Sequence, residues 1–259
     1  MRWRVGNLHV TILLALAVCA TYSMFFFLDE RSVAQYARED GAIETPGAVM
    51  FLLASIGFGL AYFRSSSAQG ALTGLARIAK RNVFYLLLCL FFLVAFLEEI
   101  SWGQRVFHVQ TPAVLQELNR QGETNIHNLV WFHGHDTSGN RKSFLELFLN
   151  GDRLYSLFWF AYCICTPLLA AFSQRIRNIF AKIRLPVVPL HYAFLFLGSY
   201  AISKGFEAMY PRYEHGIVET KESLSGFLFM CVAWGQVHML SKGRGGESPS
   251  ESPQTCPAL

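Results

Sequence analysis

The sequence predicts an all-α, polytopic membrane protein with about six transmembrane helices, each needing roughly 20 predominantly apolar residues to cross a bilayer. Three observations lead there. Of 259 residues, 53% are hydrophobic and 15% charged, and the mean hydropathy is +0.30, more than a soluble core requires. Apolar stretches of spanning length recur at 8–28, 43–63, 83–103, 154–172, 185–205 and 223–240. Lys and Arg crowd alternate connections while carboxylates and histidines crowd the others. No ten-residue alternating pattern points to a barrel, and a backbone in lipid must satisfy its own hydrogen bonds, so the spans read as helices.

The first stretch follows Arg2 and Arg4 like a signal peptide, but no small-x-small site follows it and Val18 is bulky before Cys19; it is kept as a span. The second opens after an acidic link, 29–44, with five carboxylates. The third runs into Glu98-Glu99 and a long connection, 104–153. There Thr111-Pro112 reads as an N-cap followed by proline at the first helical position. Val114, Leu115 and Leu118 form an apolar stripe, so a short helix is expected to lie on the membrane surface, with a second short piece at 144–148. Spans four to six follow. The Gly-, Ser- and Pro-rich tail, 243–259, reads as disordered.

Short connections rich in Lys and Arg stay in the cytoplasm. Arg2 and Arg4, then Arg64, Arg77, Lys80 and Arg81, then Arg175, Arg177, Lys182 and Arg184, then Lys242 and Arg244 all fall on one side if there are six spans. Both termini are therefore expected in the cytoplasm; with the resemblance given below, which implies a bacterial protein, the membrane expected is the inner (plasma) membrane. Five of the six cysteines sit inside spans and Cys256 in the tail, which does not form a disulfide framework or zinc ribbon. The net charge of +4 is accounted for by topology, and no nucleic-acid motif is present. Trp102-Gly103-Gln104 recurs as Trp234-Gly235-Gln236, a hint of an inverted repeat too short to establish one.

The candidate site residues lie in the carboxylate-rich connections. Glu98 and Glu99 sit at the edge of the hydrocarbon, where ionisable groups are costly and often functional. On a continued helix Glu98, Trp102 and Arg105 share a face, so Glu98 reads either as Arg105's ion-pair partner or as an acid or base. Glu123 and His127 are four apart and face together if that stretch is helical; His215, Glu219 and Glu222 form an i, i+4, i+7 stripe. A surface hydrogen bond explains the first pair equally well, and a macrodipole-favoured acidic helix start explains the stripe.

Glu98-Glu99-Ile100-Ser101-Trp102-Gly103-Gln104-Arg105 and Asn119-Arg120-Gln121-Gly122-Glu123-Thr124-Asn125-Ile126-His127-Asn128, with Glu39 to Glu44 before them, resemble signatures of a family of uncharacterised bacterial multi-pass membrane proteins. The resemblance covers roughly the first half of the chain. It implies a bacterial membrane protein and directs attention to these residues, but implies no activity.

Three functions are therefore expected to compete. The first is a membrane-embedded, metal-dependent hydrolase or transferase acting on a lipid or lipid-linked substrate. It would use Glu99, His127, His215, Glu219 and Glu222 as ligands of a divalent ion such as zinc, Glu98 or Glu123 as acid or base, and Arg105, Trp102 and Gln104 to hold an anionic headgroup. The second is a proton-coupled transporter using the same groups as a relay. The third is a non-catalytic assembly or sensing protein.

Overall fold

The computed structural model describes residues 8–38, 41–65, 81–119, 122–126, 129–130 and 151–245. Among these, every regular element is helical, apart from one isolated antiparallel bridge between Asn119 and Leu129. Four helical stretches are long and apolar enough to cross a membrane: Leu8–Phe26, Glu44–Arg64, Leu154–Phe172 and Pro211–Lys242. They match four of the six expected spans. The other two fall on helices of 17 and 20 residues, the second carrying Ser199, Ser203, Lys204 and Glu207 among its apolar residues.

The helices, in order, are α1 (Leu8–Ser23), continued by a 3-10 turn (Met24–Phe26); α2 (Glu30–Tyr36); α3 (Glu44–Arg64); α4 (Val83–Glu99); α5 (Ala113–Leu118); α6 (residues 151–172); α7 (Gln174–Lys182); α8 (Leu190–Met209); and α9 (Glu214–Gly245). α6 widens to a π-turn at Phe160–Cys165, just before Pro167, which has no N–H for the preceding turn. The Thr166 hydroxyl donates instead to the Tyr162 carbonyl at 2.5 Å.

Several boundaries differ from expectation. The third span stops at Glu99 rather than 103, because Ser101, Trp102 and Gly103 all take left-handed φ of 46°, 54° and 76°. The face shared by Glu98, Trp102 and Arg105 on a continuous helix therefore does not exist. The fifth helix begins at Leu190, not 185, since Pro186 and Pro189 keep the approach extended. The sixth begins at Glu214, nine residues early, and reaches Gly245; at 32 residues it is about 48 Å long. The surface helix starts after Pro112, and Thr111 does not cap it. Residues 122–126 are bends, so the helical spacing invoked for Glu123 and His127 fails. The second short piece, 144–148, and the tail beyond Gly245 lie outside the described residues.

α3 is the centre of the bundle, packed between α9 and α4. Its approach to α9 depends on small residues: a Cβ on Gly47 would lie 2.5 Å from Ser223 Oγ, and one on Gly57 2.8 Å from Ala233 Cβ. Close backbone approach of this kind is how spans associate when lipid is as apolar as the side chains. The middle of the bundle is an aromatic block. Phe92 packs at 4.6 Å from Phe229, 5.6 Å from Phe58 and 6.1 Å from Phe51, measured between ring centroids, and Phe58, Phe92 and Phe229 are fully buried.

That block separates two polar ends. At one end the Asn82 amide donates to the Arg184 carbonyl at 2.6 Å, the Asn82 N–H donates to Ser65 Oγ at 2.9 Å, and the Arg184 guanidinium donates to the Ser65 carbonyl at 3.3 Å. At the other end Ser223 Oγ donates to the Ile43 carbonyl at 2.6 Å, holding the starts of α3 and the apolar part of α9 together. The end of α4 joins them there.

Candidate functional site

The second end gathers the carboxylates. Glu44 opens α3, Glu99 closes α4, and Glu219 and Glu222 lie on the first turns of α9. Glu99 keeps only part of its surface, and among the described residues the charges that reach it are those of the Glu222, Glu219, Glu44 and Glu98 carboxylates. The structure thus brings together three of the expected ligands, Glu99, Glu219 and Glu222, from two helices, and adds Glu44 from a third. His215 is exposed, with Nδ1 3.6 Å from Glu219 Oε1. His127 lies outside the described residues. Among the described residues no group of three or more His, Cys, Asp or Glu side chains is arranged to hold a metal ion, so no metal-dependent step is assigned to this site.

Beside Glu99 and Glu222 lies a hydroxyl pair that the sequence reading missed. Tyr155 of α6 and Ser225 of α9 have oxygens 2.6 Å apart, and Ser225 Oγ donates to the Glu222 carbonyl at 2.7 Å. Because the serine proton is used on that carbonyl, the tyrosine proton is the one between the two hydroxyls. Tyr155 is within electrostatic reach of both Glu222 and Glu99. A tyrosine in an apolar run carries no sequence signal of this; only the packing of α6 against α9 reveals it.

Next to the carboxylates a polar knot fastens the turn after α4. Glu98 accepts from Trp102 Nε1 and from the Ile126 backbone N–H, each at 2.6 Å. The Ser101 hydroxyl donates to the Glu123 carboxylate, and Asn125 Nδ2 donates to Glu123 Oε2 and to Ser101 Oγ, each at 3.2 Å. Asn119 Nδ2 reaches Asn125 Oδ1 at 2.8 Å, and its own Oδ1 accepts the Glu123 N–H at 3.2 Å. Gln104 donates to Thr111 Oγ1 at 2.6 Å and accepts the Thr124 N–H at 2.8 Å as well as the Thr124 hydroxyl. Thr111 Oγ1 then donates to the Gly122 carbonyl at 2.7 Å.

The two stretches singled out in the sequence are therefore the two sides of one hydrogen-bonded unit. Two consecutive non-glycine residues at positive φ are costly, of the order of 1–3 kcal/mol each, and persist only where their surroundings impose them. Gly103 completes the turn; a Cβ there would lie 2.9 Å from the Phe107 ring. The bonds described for Glu98, Glu123, Trp102 and Gln104 are positioning bonds that fix the end of α4, and Glu99 with it. The Arg105 side chain lies outside the described residues. Asn119 and Asn125, both buried, are the knot members that were quoted in the sequence without being given a role.

A groove of about 340 Å³ opens between α1, α3 and α9 near Glu44, lined by Thr21, Ile43, Pro46, Thr220, Ser223 and Phe227, among others. It is apolar in character. Behind it, Tyr22 OH and Ser199 Oγ are 3.3 Å apart, and Ser203 Oγ donates to Glu207 Oε1 at 3.0 Å. Glu207 also pairs with Lys204, as the one-turn spacing suggests. No protein-family model, curated protein or solved structure matches the chain.

Proposed function

We propose that the chain crosses the bacterial inner membrane six times, with α4 and α8 as its third and fifth spans and both termini cytoplasmic. Its carboxylate end would then be an acid–base site acting on a lipid or lipid-linked substrate at the outer face. The observation that carries this reading is Glu99, packed at a helix end where, among the described residues, the charges that reach it are those of Glu222, Glu219, Glu44 and Glu98. Such a group holds a proton or meets a cationic part of the substrate, because an uncompensated charge at a membrane boundary costs several kcal/mol. Carboxylates placed in different environments divide into acid and base. Glu99 is the proton carrier in this reading, Glu222 its opposite number, and Tyr155, bonded to Ser225, a neutral hydroxyl beside them.

An enzyme is favoured over a carrier by the aromatic block around Phe92, which separates the carboxylate end from the arginine end. The groove beside Glu44 supports an amphiphilic substrate, since its lining is largely apolar with Thr21, Thr220 and Ser223 among it. Hydrolysis or transfer would follow when a carboxylate removes the proton of an attacking water or hydroxyl while the protonated partner gives its proton to the substrate's leaving group.

The test is to place the full chain in nanodiscs of total bacterial lipid and follow the lipids by mass spectrometry. Wild type is expected to consume one lipid class, and Glu99→Gln to lose 10²-fold or more of that rate, on the order of what a general acid or base contributes. If no lipid changes but proteoliposomes show proton uptake that depends on Glu99, the carrier replaces the enzyme. If neither occurs, the non-catalytic assembly reading stands.

A further inference from the structure

Ser199, Ser203 and Glu207 stand four residues apart along α8 and share one face of it. Tyr22 of α1 packs against this stripe. Its hydroxyl lies 3.3 Å from Ser199 Oγ and also reaches Ser203, which donates to Glu207 Oε1 at 3.0 Å. Tyr22, Ser199 and Ser203 are buried, while the Glu207 side chain keeps 15% of its surface and has Lys204 and Lys221 as counter-charges. Elsewhere in the bundle Thr21, Thr166, Thr220 and Ser241 donate to the carbonyl four residues back in their own helices, the ordinary recourse of a helical hydroxyl. Ser199 and Ser203 bond to side chains instead. Groups that both donate and accept are thereby set in series, ending at a carboxylate.

The other end of the series borders a small cleft between α6, α8 and α9. Ser199 lines it together with Tyr155, Ser225 and Lys221, and Trp159 and Leu228 add apolar wall. The cleft leaves about 20 Å³ for the centre of a water molecule. One water needs about 10–15 Å³ by that measure and two to four polar partners. The space is too small for a lipid headgroup, and the hydroxyls of Ser199, Ser225 and Tyr155 with the Lys221 ammonium are partners enough for a water.

We propose that this cleft binds one water molecule, which joins Ser199 to the Tyr155–Ser225 pair and completes a proton route from Glu207 to the carboxylates Glu222 and Glu99. The route rests on the acid–base reading of Glu99 and adds the path by which its proton is exchanged. A proton taken from solvent by Glu207 passes to Ser203, whose own proton passes to Tyr22, and so on through Ser199 and the water to Tyr155. Each oxygen gains one proton and releases another, so one proton leaves Glu207 and one arrives. Glu222 and Glu99 are the carboxylates whose charges reach Tyr155, and they take the last proton.

The experiment follows the full chain in nanodiscs by time-resolved infrared spectroscopy after flash release of protons from a caged acid. The Glu99 signal is the protonated-carboxyl stretch that Glu99→Gln removes, and the starting pH lies above the one at which it appears. Tyr22→Phe, Ser199→Ala and Glu207→Gln are each expected to slow its rise about tenfold, the rate equivalent of losing one hydrogen bond, with its final height unchanged. Melting temperatures identify any variant that fails to fold, and the remaining ones then decide. A rise as fast as wild type in any folded variant overturns the route and leaves the acid–base reading of Glu99 intact. If Glu99→Gln removes no band, Glu99 carries no proton and both readings fall.

Discussion

The two ends of the bundle handle charge in opposite ways. At the arginine end the cations are dispersed. Arg81 lies on aromatic rings, Arg184 donates to the Ser65 carbonyl, and Arg177 caps α6 through the carbonyls of Ala170 and Ala171 at 2.9 and 3.3 Å. These contacts complete helix ends, which leave carbonyls without partners. At the carboxylate end Glu44, Glu99, Glu219 and Glu222 approach one another instead, and the buried hydrogen bonds belong to the adjacent knot. One end uses its charges to hold helices together; the other brings the Glu44, Glu219 and Glu222 carboxylates within electrostatic reach of Glu99. Gatherings of titratable groups of this kind are where function is to be sought.

The largest effect should come from the block that keeps the ends apart. Phe92 is fully buried among five other phenylalanines, so Phe92→Ala should destabilise the protein by about 3–5 kcal/mol, the range for emptying a large aromatic site. Chemical unfolding in detergent would measure it. A loss below about 1 kcal/mol would mean the block is loosely packed and no seal.

The arginine end should be the more sensitive to losing a polar group. Asn82 is buried, caps α4 through the Phe84 N–H at 3.1 Å, and donates to the Arg184 carbonyl. Asn82→Ala removes a cap and leaves a carbonyl without its donor, and should cost about 2–3 kcal/mol. At the opposite end Glu98→Ala deprives Trp102 Nε1 and the Ile126 N–H of their acceptor, and about 1–2 kcal/mol is expected because the site is partly open to water. Thermal melts of the two variants side by side decide the comparison. If Glu98→Ala costs more than Asn82→Ala, the knot rather than the arginine end is the stronger clamp.

The smallest effect concerns α2. Asp29 caps it, with Oδ1 accepting the Ser32 N–H at 2.8 Å, and hydrogen bonding from Ser32 holds the exposed carboxyl below its usual range. A group whose pKa is lower in the folded state contributes stability above its unfolded pKa and loses it as pH falls through the folded value. The melting temperature of wild type should therefore fall slightly more than that of Asp29→Ala as the pH is taken from neutral to below the ordinary aspartate range. Parallel pH profiles would remove the cap from the account.

The sequence by itself determined the helical membrane class, the positions of four spans long and apolar enough to cross, and the separation of acids from bases, and it singled out, without pairing them, the two stretches now seen as one knot. These rest on composition and on patterns within single segments, which local physics controls. It misplaced the end of the third span, because the left-handed turn at Ser101-Trp102-Gly103 is imposed by Glu123 and Asn125 some twenty residues away. It did not find Tyr155, Ser225 or Glu44 as neighbours of Glu99, or the phenylalanine block between the two ends. Those belong to the packing of α3, α4, α6 and α9 against one another. Which residues meet across helices depends on rotation about each helix axis, and that rotation is set by contacts such as Gly47 on Ser223, which exist only once the bundle is assembled.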